Sequence, residues 1–269
     1  MNLTELNKNY DNYLYLNYNS NDTINSYKAC LKKFLNENNR VYRLTNLDLK
    51  EYFINFGKKF SGSYYNQMLS SLRVLYIEVL KQNQKLNEIY YKKVKPKTVN
   101  ILSKDEIVNS LKSIKNNKHR WIIKLLYIGA LRVSELLNIK ISDIDSANGR
   151  ILIQNGKCDI SRYIPISEDD LVDLRNYYKE YKPEKYLFES RKKGVKYSAS
   201  SVRQVVKKID SNKRLYPHLL RHTGLTNLVD NGHNLLKVQR FAGHTNSTST
   251  ERYYHLRTDA LQGMILKTN

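Results

Sequence analysis

The chain has 269 residues, enough for two domains with separate apolar cores, and 41% of them are hydrophobic, which excludes an intrinsically disordered chain. Lys and Arg number 46 against 25 Asp and Glu, a formal net charge of +21 that lowers the energy of any nearby polyanion, although a soluble basic protein from a Lys- and Asn-rich proteome would share part of that bias. Cys30 and Cys158 alone make neither a disulfide framework nor a thiolate zinc cluster, and the polar start (Asn2, Thr4, Glu5, Asn7, Lys8) with no membrane-length apolar run predicts a cytoplasmic protein with no membrane partner.

Residues 1–83 read as four helices. Leu3, Leu6, Tyr10, Tyr13 and Leu16 recur at helical spacing until Asn19-Ser20-Asn21-Asp22 breaks the pattern. Asp22 or Thr23 is expected to cap a second helix carrying Ile24, Tyr27, Leu31, Phe34 and Leu35. Thr45 or Asn46 starts a third through Leu49, Tyr52, Phe53 and Phe56, and Ser61 or Ser63 opens a fourth from Tyr65 to Val79. Residues 84–102, with Lys92, Lys93, Lys95 and Lys97 around Pro96, read as an exposed basic linker, either touching DNA or simply solvated. Ser103 and Glu106 fit a capping box that opens a second domain, 103–269. Within it, Arg150–Gln154 and Arg162–Ile166 flank Asn155-Gly156 and predict a β-hairpin, after which helices resume near Ser167 and a short apolar run covers Tyr186-Leu187-Phe188. The expected fold class is mainly α: a four-helix N-terminal unit, then a mostly helical domain with a small β-hairpin or sheet. The positive surplus is spread along the chain, so two basic bodies are expected, as for a protein that grips a duplex from two sides.

Four segments of the second domain carry chemistry. Arg132 sits between two apolar helical runs, where an unpaired charge is costly, and pairing with Glu135 for structure alone would account for it. Lys157 falls at the tip of the expected hairpin, a place where lysine is ordinarily a solvated turn residue. His218 and Arg221 are three apart and share a helix face. Gly243-His244 is followed by Thr248, Thr250, Tyr253, Tyr254 and His255. His218 and His222 have the spacing of zinc ligands, but the intervening Leu-Leu-Arg lacks a general base and sets a cation beside the ion, so no metal is expected.

Taken together, the order Arg, Lys, His-x-x-Arg, Gly-His, Tyr resembles the tyrosine recombinases, the phage integrase family. The segments GALRVSELLNIKISDID, PHLLRHTGLTNLVDNG and LLKVQRFAGHTNSTSTERYYH carry the resemblance, which covers nearly the whole chain and is closest to the compact Xer-type or mobile-element members. It implies an N-terminal core-binding domain (1–83) and a C-terminal catalytic domain (103–269). Arg132 and Arg221 would clamp the phosphate, Lys157 would match the hairpin lysine, and His218 and His244 the two histidines. Glu135 would support the site. Tyr253, nine residues after His244, would be the nucleophile, with Tyr254 its rival by adjacency. The family's hairpin often reads Gly-Lys-Gly followed by another lysine, whereas Cys158 follows Lys157 here.

The chemistry explains the choice of residues. Two guanidiniums hold non-bridging phosphate oxygens with paired donors that lysine cannot reproduce. A tyrosine must lose its proton on attack, and the departing 5′-oxygen needs one, which a hairpin lysine could supply. The resemblance implies double-stranded DNA with paired sites, a 3′-phosphotyrosine, a four-way junction and neither ATP, metal nor other cofactor. It further implies a homo-tetramer on DNA joined through residues 256–269, with an accessory protein or partner recombinase where one is needed, in a prokaryotic or mobile-element setting. Two rivals keep the fold: a type IB topoisomerase that nicks and reseals, and a DNA-binding regulator without catalysis.

Overall fold

The computed structural model describes residues 2–38, 40–94, 101–154, 161–209 and 215–243. The chain divides into two compact units, residues 1–98 and 99–269. The first holds α1 (Leu3–Asn17), α2 (Asn21–Glu37), α3 (Asn46–Lys59) and α4 (Gly62–Arg73), the last running on as a π-helical turn over Val74–Val79. Each helix starts where a short polar side chain can accept a free helix-end amide. Asn2, Ser20, Thr45 and Ser61 do so, and Thr45 and Asp48 complete a capping box. The second helix therefore starts a little earlier than Asp22 or Thr23, because Ser20 takes the amide of Thr23. Leu6, Tyr10, Phe34, Leu49, Met68 and Leu72 are buried in one core, where the Tyr10 hydroxyl is satisfied 2.8 Å from Ser71 Oγ.

Leu86 and Ile89 are also buried in this core, following a 3-10 turn over Asn83–Leu86, so the segment expected as exposed linker is partly packed. Over its described residues 84–94 the sparse apolar side chains lack periodicity because that stretch is not a regular α-helix.

The second unit begins with α5 (Lys104–Ser113), capped by Ser103 and Glu106 in the expected reciprocal box. It continues with α6 (Asn117–Ile128), α7 (Val133–Asn138), β1 (Ile144–Asp145), β2 (Arg150–Ile153), β3 (Arg162–Pro165), α8 (Glu168–Tyr181), α9 (Ala199–Lys207), α10 (Pro217–Asp230) and α11 (Leu235–Ala242). The strands form an antiparallel sheet in the order β1-β2-β3, with Ile151 opposite Ile164 and Ile153 opposite Arg162. β2 and β3 are the two arms of the expected hairpin, and β1 adds a short strand too brief to show alternation in sequence. Trp121, Leu125, Leu126, Ile151, Ile164, Phe188 and Leu220 build the core. Helix α10 is buried on most of its circumference and lies against α6, where Gly224 admits the Tyr127 carbonyl to a distance that a Cβ would forbid. No helix among the described residues is long and apolar enough to cross a membrane.

Candidate active site

The turn between α6 and α7 sets the first candidate residue. Ala130 takes φ +44°, a left-handed conformation that is strained for a residue with a Cβ. This turn brings Arg132 to the start of α7 and leaves the Ala130 carbonyl facing Arg221. One helical turn on, Glu135 reaches back: its Oε2 accepts the Arg132 backbone N–H at 2.8 Å, and its Oε1 accepts from Arg132 Nη1 at 2.7 Å.

Two further arginines reach the same carboxylate. Arg162 on β3 makes a two-pronged pair, Nη1 to Oε1 at 3.1 Å and Nη2 to Oε2 at 2.9 Å. Arg221 on α10 sends Nη1 to the Ala130 carbonyl and, at 3.5 Å, toward Glu135 Oε2, while Nη2 donates to the Ala242 carbonyl at 2.8 Å. Arg132 Nη2 lies 3.5 Å from the Gly243 carbonyl. Helix α11 ends there with Gly243 at φ +63°. Helices α6, α7, α10 and α11 and strand β3 thus converge on one ionic knot.

Glu135, Arg162 and Arg221 are 3%, 8% and 3% exposed, which puts this knot out of bulk water. Burial pushes the Glu135 carboxyl upward, but the Arg162 hydrogen bonds and charge, the Arg132 backbone N–H and the Arg221 charge outweigh it and hold the group at about 2. The carboxylate is therefore ionised throughout the physiological range. Three guanidiniums against one carboxylate give the knot a surplus of positive charge at a place where charge is poorly screened. His218 begins the same helix as Arg221; crowding by protein atoms, then the Arg221 and Arg132 charges, push its imidazole below the ordinary range even though it keeps exposed surface. The shift favours its neutral form, the one that can accept a proton.

Of the residues picked from sequence, Arg132, Glu135 and Arg221 are brought together, with His218 close enough to feel both arginines. Lys157, His244 and Tyr253, with Cys158, Tyr254, His255 and the apolar stripe of residues 256–269, lie outside the described residues. Arg162 was missed. Its signal was present in β3: Arg162, Ile164 and Ile166 share the buried face of the strand, opposite exposed Tyr163 and Pro165. An arginine on the inward phase of a half-buried strand needs an acidic partner.

The phage integrase family profile matches residues 70–259. The chain belongs to this family of tyrosine recombinases. It is 31% identical over 255 residues to a tyrosine recombinase of Pseudothermotoga lettingae, covering 88% of each chain. It is 31% identical to the tyrosine recombinase XerA of Pyrococcus horikoshii over 95% of this chain and 90% of that one. Among solved structures it resembles the XerH site-specific recombinase bound to a palindromic difH substrate, with a TM-score of 0.73, 22% identity and coverage of 89% and 78%. It also resembles a lambda integrase dimer bound to a core site, with a TM-score of 0.74, 17% identity and coverage of 100% and 80%. The helical N-terminal unit and the helical second unit with its small sheet follow that recombinase fold.

Proposed function

We propose that this tyrosine recombinase cleaves and rejoins DNA at specific paired sites through a covalent bond between Tyr253 and a 3′-phosphate. The observation that carries the reading is the shared Glu135 carboxylate: three buried or half-buried arginines on separate elements meet in one cluster whose net charge suits a phosphodiester. Residues 1–83 serve as the core-binding domain, 84–102 as the linker and 103–269 as the catalytic domain.

Arg132 and Arg221 draw charge from the two non-bridging oxygens as the phosphorus becomes five-coordinate. The Tyr253 hydroxyl loses its proton, its oxygen attacks phosphorus, and the bond to the 5′-oxygen breaks. His218, whose neutral form is favoured first by burial and then by its cationic neighbours, suits the proton-accepting role, with His244 as a donor to the phosphate. Lys157 protonates the departing 5′-oxygen. The 3′-phosphotyrosine conserves the bond energy, so a 5′-hydroxyl from another strand reverses the step without ATP or metal. Two such rounds pass through a Holliday junction, with a homo-tetramer on DNA acting in the cytoplasm.

The test begins by sequencing the DNA trapped covalently on the protein in its host, which supplies the site. A duplex nicked beside that site should then give a denaturant-resistant adduct with wild type and none with Tyr253→Phe. An adduct lost in Tyr254→Phe and kept in Tyr253→Phe reassigns the nucleophile. Binding with no adduct from wild type replaces the recombinase reading by the regulator, and relaxation of plasmids lacking the site replaces it by the topoisomerase.

A further inference from the structure

We infer that Arg162 is a positioning residue for the phosphate clamp: it takes the forked position on the Glu135 carboxylate, so that this buried anion holds the Arg132 guanidinium by one bond and not by two. The inference rests on the catalytic reading of Arg132 given above.

The geometry is a competition for two oxygens. Glu135 is anchored by its own helix start through the Arg132 amide at 2.8 Å, so it cannot swing away from the site. An arginine three residues before a buried carboxylate would ordinarily close a two-pronged pair with it, and its guanidinium would then be spent. Arg162 takes that two-pronged position instead, at 3.1 and 2.9 Å, from strand β3. Arg132 is left with a single bond from Nη1 to Oε1, and its side chain stays 26% exposed while the Glu135 side chain is 1% exposed. Arg162 is itself locked: its side chain is 7% exposed, and Gly243 leaves its guanidinium room that any Cβ would take. Its Nε is buried with no hydrogen-bond partner among the described residues, which marks the guanidinium as held for its fork and charge.

A second consequence concerns charge. With Arg162 in place, the charge of Glu135 is shared with a side chain that is only 7% exposed, so less of the charge of Arg132 is cancelled and more of it remains for a phosphate. Without Arg162 the carboxylate would cancel part of the clamp's field at short range.

The experiment uses full-length protein on the nicked substrate, with cleavage followed in a single turnover at saturating DNA. Arg162→Met should lower the cleavage rate on the order of 10²-fold while DNA affinity changes by only a few-fold. Arg162→Lys, which keeps the charge but loses the fork, should fall between Arg162→Met and wild type. The deciding variant is the double substitution Arg162→Met with Glu135→Gln. Removing the carboxylate's charge should restore at least ~10-fold of the lost rate, because the anion that Arg162 was holding is gone. A double variant as slow as Arg162→Met, or slower, overturns the inference and reduces Arg162 to a structural tie. Thermal melting accompanies each variant; if Arg162→Met does not fold, Arg162→Lys with and without Glu135→Gln carries the same comparison. A wild-type protein that forms no adduct would refute the catalytic reading itself, a result distinct from failure of the rescue.

Discussion

Gly243 stands where Arg162 leaves no space: a Cβ at position 243 would lie 2.8 Å from Arg162 Nη1 and 3.3 Å from its Cζ. The same glycine takes the left-handed conformation that ends α11, at φ +63°. Gly243→Ala therefore meets two costs, about 1–2 kcal/mol for the backbone and a displaced guanidinium beside Glu135. The expected result is a lower melting temperature together with a cleavage rate reduced more than DNA affinity. An alanine variant as stable and as fast as wild type would show that Arg162 can shift without consequence.

Arg221 should not tolerate lysine. Its guanidinium spans the Ala130 and Ala242 carbonyls while reaching toward Glu135, a forked geometry that an ammonium cannot copy. Arg221→Lys should lose on the order of 10²-fold in single-turnover cleavage and also melt lower, because a buried carbonyl loses its donor. Arg132→Lys should lose comparable rate with a smaller change in melting, since Arg132 is the more exposed of the two. Affinity for DNA should fall far less in both, as many basic side chains share the phosphate contacts. Equal losses of affinity and rate would make these arginines binding contacts only.

Glu135 links stability to acid. Its carboxyl is held at about 2, below the ordinary glutamate value of 4.5, so the ionised form is favoured by folding. Its contribution is fully present above pH 4.5 and is lost as pH falls toward 2. Urea melts of wild type and Glu135→Gln should differ clearly near neutrality, with wild type the more stable, and the gap should narrow below pH 4.5. A gap that stays constant through that range would mean that the charge of Glu135 contributes nothing to the fold.

Cleavage should not need a divalent ion. The cations that the proposed transition state requires are guanidiniums and a lysine, and the proton carriers are protein groups. Rates in excess EDTA and in Mg²⁺ should agree once ionic strength is matched, measured on the nicked duplex. A strict Mg²⁺ requirement in the cleavage step would remove the scheme as written.

The start at Ser103 was readable in sequence because Glu106 completes its capping box, and those at Thr45 and Ser61 were readable to within two residues, with Asn46 and Ser63 as the alternatives. The start of α2 was less so, because Ser20, Asp22 and Thr23 are all competent caps and only the packing of Ile24 and Leu31 chooses among them. Arg132, Glu135 and Arg221 could be named from spacing and resemblance, but their meeting could not, since it joins residues brought together by four helices and a strand. Arg162 escaped notice because its strand was read for its isoleucines; the phase of the alternation, followed two residues back from Ile164, places it on the same inward face. The π-helical turn after α4 has no sequence signal of this kind, since its apolar pattern continues that of the helix before it.

Helix α10 is buried in its middle: Leu219, Leu220, Thr223, Gly224, Leu225 and Thr226 all lie out of solvent around Arg221. The amides around Arg221 should therefore exchange with water more slowly than those of the exposed first residues of α5, which can fray on their own. A guanidinium carried on such a helix is in place when folding is complete and does not wait for a substrate to order it. The entropy of arranging that half of the clamp is thus settled during folding, and a bound phosphate has only the more exposed Arg132 left to bring to rest.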